Sequence, residues 1–163
     1  MRKPFCGMIR AAGFVLVLLT QGGAFAQTVK SDHWTPGDLL ERAKQLQQLA
    51  AEKGNASVIL EKYPHHYTML AFRNRSGGGE VHQSFADLFY ILDGRATVIT
   101  GGEVVEPKTT APGETLGTSV QGGTQQDVKA GDVVHIPAGM PHQMLVPTGK
   151  TVTYFVIKVE ESR

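Results

Sequence analysis

Gly131-Asp132-Val133-Val134-His135-Ile136-Pro137-Ala138-Gly139-Met140-Pro141-His142 is the stretch on which the reading of this 163-residue chain turns. Gly131-Asp132 makes a turn into a strand over Val133 to Ile136. Pro137-x-Gly139 forces a sharp corner, because proline locks φ and removes a backbone donor while glycine accepts a left-handed φ. His142 then opens a second strand, Gln143 to Val146, and a histidine placed there can point into the interior of a barrel. His135 lies on the opposite face from Val134 and Ile136, since side chains alternate along a strand, and is expected to serve structural packing.

Outward from this corner the chain keeps the same texture. Val58 to Lys62, Tyr67 to Arg73, Val81 to Ser84, Leu88 to Leu92, Arg95 to Thr100, Glu103 to Val105 and Val152 to Val159 read as strands. Asp93-Gly94 predicts a two-residue hairpin between two of them. The 19 glycines and 8 prolines suit many tight turns. Short strands at close spacing predict a sandwich, jelly roll or barrel. The one helical pattern is N-terminal. Thr35 caps it, Pro36 fits its first position and Asp38 completes a box-like pair. Leu39, Ala43, Leu46 and Ala50 share a face, and Gly54 stops it. Its amphipathic pattern favours packing on the outside of the barrel over a lid or partner surface.

Residues 1–26 read as a secretory leader. Arg2, Lys3 and Arg10 precede a short apolar run from Ala11 to Leu19, and Ala24-Phe25-Ala26 supplies small residues for cleavage before Gln27. The run is shorter than the roughly 20 apolar residues of a membrane span. Cys6 precedes the run, which speaks against lipid attachment there. The organisation expected is therefore a leader over 1–26, an arm and helix over 27–55, a β-barrel over 56–159 and a tail over 160–163. The protein is expected in the periplasm or outside the cell, with no membrane attachment after cleavage. Cleavage leaves 13 basic against 15 acidic residues and no cysteine. Such a chain is a poor partner for nucleic acid, and any metal site must be built from His, Asp and Glu.

The quoted stretch resembles the second motif of the cupin superfamily, G-x5-P-x-G-x2-H-x3-N. Gly131, Pro137, Gly139 and His142 stand at its spacing, with Val146 in place of the final Asn. The first motif, G-x5-H-x-H-x3-4-E-x6-G, is degenerate. Anchored at Gly94, it puts Asp87 at the Glu position, His82 at the second His, Glu80 at the first His and Asn74 at the opening Gly. The other register, pairing His82 with Ser84, breaks the spacing to Asp87. The resemblance covers roughly residues 58 to 159. It implies an all-β double-stranded β-helix, or cupin jelly roll, carrying one N-terminal amphipathic helix, and often a homodimer.

It also implies a metal at the barrel centre. His82, His142, Glu80 and Asp87 are the expected ligands of one divalent first-row ion, since two imidazoles with carboxylates suit Mn, Fe, Co, Ni or Zn. Alternation turns Glu80 and His82 the same way, two apart on one strand. If Glu80 is not a ligand, it is a candidate general acid or base. His65, His66 and His33 rank lower, at a turn and in the arm. Arg73 and Tyr67 could line a pocket for an anionic substrate. The segment Glu106 to Thr124 is either a lid or an edge or dimer hairpin.

The resemblance chooses no reaction, because cupins include dioxygenases, isomerases and lyases as well as storage and sensor modules. Two functions stay open: a metal-dependent enzyme on a small organic substrate, and a non-catalytic module, with or without metal, that binds a small molecule.

Overall fold

A computed structural model describes residues 31–161 of the chain. The expected leader and its cleavage after Ala26 lie outside the described residues. Helix α1 (Pro36–Lys53) begins where expected. The Thr35 hydroxyl accepts from the Asp38 amide at 3.2 Å, and the Asp38 carboxylate accepts from the Thr35 amide at 2.9 Å. Together these satisfy two backbone donors that a helix start leaves open. Gly54 ends the helix at φ 86°, a left-handed value that glycine adopts without a side-chain clash.

Among the described residues twelve strands follow: β1 (Asn55–Lys62), β2 (His66–Arg73), β3 (Gly79–His82), β4 (Phe85–Thr100), β5 (Glu103–Val105), β6 (Lys108–Ala111), β7 (Glu114–Gly117), β8 (Ser119–Gln121), β9 (Thr124–Lys129), β10 (Val133–Ile136), β11 (His142–Leu145) and β12 (Val152–Glu160). Every pairing is antiparallel. The main sheet runs β1-β2-β12-β4-β11-β3-β7-β6, with β9 and β10 also on β4, and curls on itself. β5 and β8 form a separate pair.

The hairpin expected at Asp93-Gly94 does not form. β4 passes through both residues as one 16-residue strand. Its first half pairs with β10 and β12, and its second half with β9 and β11. Gly94 has φ 80°, and the register with β12 slips between Thr153 and Tyr154. The local turn signal is spent on a bulge that bends a long strand from one face of the barrel to the other. Tertiary pairing partners on both sides of the bend outweigh the local preference for a turn.

Alternation along β2 divides the interior. Leu70 and Phe72 face α1, where Leu39, Ala43, Leu46 and Ala50 are buried against them. Burying a leucine there stabilises by roughly 1.5–3 kcal/mol. The helix thus packs outside the barrel, as its pattern predicts. Met69 and Ala71 face the other way, onto the barrel core of Phe89, Ile91, Val98, Met144, Tyr154 and Val156. Tyr67 and Arg73 share that inward face by the same period of two and reach its cavity.

The segment Glu106 to Thr124 is an edge hairpin. β7 pairs with β3, and β6 forms the outer edge with all four residues exposed. His135 is exposed, which corrects the expectation that it packs structurally: the face opposite Val134 and Ile136 meets solvent. Among the described residues no helix is long and apolar enough to cross a membrane.

Candidate metal centre

Strand register builds the site. His142 stands opposite Glu80 across β11 and β3, and His82 stands opposite Glu114 across β3 and β7. Asp87 stands opposite Lys158 across β4 and β12. The corner at Pro137 to Gly139 fixes the approach of β11. The Gly139 amide, at φ 78°, donates to the His82 carbonyl at 2.8 Å. This hydrogen bond adds to the pairings of β10 with β4 and of β11 with β3 in holding together two motifs sixty positions apart in sequence.

Glu80, His82 and His142 each bring one donor atom within 4.8 Å of the others. Glu80 Oε2 lies 3.5 Å from His82 Nε2 and 4.0 Å from His142 Nε2. Ligands about 2.1 Å from a tetrahedral ion would stand roughly 3.4 Å apart, so the set is slightly open for one ion. Both rings are held from behind. His82 Nδ1 meets Glu114 Oε2 at 2.5 Å, and His142 Nδ1 meets the Met140 carbonyl at 3.1 Å. A neutral ring that donates from Nδ1 keeps its lone pair on Nε2. His82 Nε2 is buried and has no hydrogen-bond partner. A bare, buried, aimed nitrogen beside a carboxylate fits a metal ion.

Asp87 is more firmly committed elsewhere. Its Oδ2 lies 3.7 Å from His82 Nε2 and 3.6 Å from His142 Nε2, so it adjoins both imidazoles. Yet Lys158 Nζ, itself buried, reaches its two oxygens at 2.6 and 2.8 Å. Glu80 also has a cation: Arg73 Nη2 donates to its Oε1 at 3.2 Å, while Arg73 Nε donates to the Tyr154 hydroxyl at 3.0 Å. That leaves Oε2 turned to the imidazoles.

These charges set the protonation states. Burial raises the Glu80 pKa, but His82, Arg73 and His142 outweigh it and hold the carboxyl at about 2. Burial and Lys158 oppose charging the His82 ring, yet Glu80, Asp87 and Glu114 prevail and raise its pKa. For His142, burial dominates and lowers the pKa against the pull of the Met140 carbonyl, Asp87 and Glu80.

Glu80, His82, Asp87 and Glu114 open onto a cavity of about 370 Å³, walled also by Tyr67, Met69, Arg73, Phe89, Tyr154 and Lys158. A larger groove of about 880 Å³, along Asp93, Arg95, Asp127 and Lys129, holds none of the four. His65 bonds Glu160 and His66 stacks on Tyr63, both away from the cavity, and His33 is exposed.

The sequence reading missed Glu114, Lys158 and Tyr154. Lys158 carried a signal, being a lone charge inside an apolar strand. Glu114 sits in a stretch with no local pattern, and only the pairing of β7 with β3 discloses it.

No protein-family model and no curated protein matches the chain. Solved structures do match. A double-stranded β-helix protein from Klebsiella pneumoniae aligns over 80% of this chain and 91% of its own, at 10% identity and TM-score 0.55. The Cnp3 cupin domain of Schizosaccharomyces pombe aligns over 66% of this chain and 65% of its own, at 13% identity and TM-score 0.50. DMSP lyase DddQ from Ruegeria pomeroyi aligns over 66% and 47%, at 14% identity and TM-score 0.49. The match spans less than two thirds of each of the last two chains. At such identities the likeness speaks to fold alone: the chain has a double-stranded β-helix fold, like the Klebsiella protein and the Cnp3 cupin domain, with one helix packed on its outer face.

Proposed function

We propose that this protein is an exported metal-binding cupin that takes one divalent first-row ion, Mn, Fe, Co, Ni or Zn, on Glu80, His82 and His142, and acts as an enzyme on a small organic molecule. One observation carries the reading: the buried, unbonded Nε2 of His82 faces the Glu80 carboxylate and the second imidazole beside a cavity. Nitrogen and oxygen donors suit that group of metals. A cavity of about 370 Å³ suits a small ligand. Bound there, the ion would supply Lewis acidity toward a ligand oxygen.

The chain's own residues divide the remaining work. Arg73 orients Glu80, Lys158 holds Asp87 beside the imidazoles, and Met69 and Phe89 give the cavity an apolar wall. The half-buried Tyr67 has its pKa raised by burial, Asp87 and Glu114, so its hydroxyl stays a donor at the cavity. A Glu80 carboxyl held at about 2 is ionised at neutral pH. That favours ligation over a general-acid role, since a useful acid titrates near the working pH. Export rests on the leader pattern of residues 1–26, and a homodimer rests on the family resemblance.

A non-catalytic binding module is the second reading. In its favour, Glu80 and Asp87 each already have a cation, Arg73 and Lys158, so their charges are balanced without an ion. Metal analysis of purified variants tests the proposal. His82→Ala and His142→Ala should each abolish stoichiometric metal, while the exposed His135→Ala should retain it. Full occupancy in the double variant of His82 and His142 would put the site elsewhere.

A further inference from the structure

We infer that Glu114, at the start of strand β7, is a positioning residue of the metal centre: it holds His82 as the Nδ1–H tautomer with Nε2 bare. The edge hairpin β6–β7 is thereby a working part of the site. The inference rests on the proposed metal reading for its purpose, but its geometry stands on its own.

His82 and Glu114 are direct cross-strand partners, so the pairing of β3 with β7 delivers the carboxylate to the ring. The contact is at 2.5 Å and lies on Nδ1, whereas the donor set with Glu80 and His142 forms on the Nε2 side. A carboxylate bound at Nδ1 cannot also reach an ion at Nε2 of the same ring, so Glu114 orients a ligand and is not one. An oxygen acceptor behind a ligating imidazole fixes its tautomer and raises its basicity. The two rings differ in how they are held. His142 leans on the Met140 carbonyl, part of the backbone corner between β10 and β11. His82 leans on a side chain from a hairpin whose outer strand is wholly exposed. Anything that loosens the hairpin therefore acts on His82 and leaves His142 in place. By reciprocity, filling the site should steady the hairpin.

Two measurements separate the inference from the metal reading. The first uses metal-free protein in alkaline buffer, where the ring is neutral, and reads the ¹⁵N resonances of the imidazoles. Wild type should show His82 as the Nδ1–H tautomer. Glu114→Ala should move His82 toward Nε2–H and leave His142 unchanged. The second titrates Zn²⁺ into each protein. Glu114→Ala should weaken affinity by about 10- to 100-fold, and Glu114→Gln, whose carbonyl still accepts the Nδ1–H, should lose less. An unchanged His82 tautomer in Glu114→Ala overturns the inference. If Glu114→Ala disorders the hairpin, Glu114→Gln decides: a loss as large as that of Glu114→Ala overturns it. If wild type takes no Zn²⁺ while Glu114→Ala still shifts the His82 tautomer, the metal reading is refuted and Glu114 stands as the positioning residue of His82.

Discussion

Glu80→Gln in metal-free protein should cost stability in a manner that depends on pH. Gln keeps the shape of the side chain and leaves no cavity, so the cost is electrostatic. In the folded protein the Glu80 carboxyl is held at about 2 against an ordinary value of 4.5. That difference corresponds to on the order of 3 kcal/mol. The sign follows from linkage. A carboxyl whose folded pKa is depressed contributes stability that is fully present above its unfolded value and lost as pH falls through its folded value. Arg73 keeps its hydrogen bond to Tyr154 in the variant but loses its counter-charge, and that loss is part of the electrostatic cost. Urea unfolding of chelator-treated wild type and variant, from neutral pH downward, reads the effect. The gap should be on the order of 3 kcal/mol at neutral pH and should close as pH drops below 4.5 toward 2. A gap that stays constant with pH, or a variant as stable as wild type at neutral pH, would refute the electrostatic account of Glu80. Added metal should raise the melting temperature of wild type more than that of the variant, because binding to the folded state alone shifts the unfolding equilibrium.

Other outcomes follow from the same geometry. Asp87→Asn strands the buried Lys158 ammonium and should destabilise by about 3–5 kcal/mol. Adding Lys158→Met should restore most of that in urea melts, and a double variant as unstable as the single one would show that the pair is not the cause. Metal retained by Asp87→Ala would show that Lys158, and not the ion, is what engages this carboxylate. Exported protein should begin at Gln27 by mass spectrometry and show no thiol on titration, since Cys6 leaves with the leader; bulk protein beginning at Met1 would sink the localisation.

Features decided by neighbours in the chain were legible from the sequence. The helix start at Thr35-Pro36-x-Asp38 and its stop at Gly54 are satisfied by backbone groups within one turn, so local chemistry suffices. The corner at Pro137 to Gly139 is legible for the same reason. His82, Glu80 and His142 were legible as candidates because alternation and motif spacing fix which face of a strand each occupies, and the structure brings one donor atom of each within 4.8 Å of the others. What the sequence could not decide is everything that depends on which strand lies beside which. Asp93-Gly94 has the local signature of a hairpin, yet β4 runs on because partners wait on both sides of the bend. Glu114 becomes a partner of His82, and Lys158 of Asp87, only through pairings between segments 32 and 71 residues apart. Local periodicity tells a side chain which face to take, but only the assembled sheet, whose register is set by burial over the whole core, tells it whom to meet.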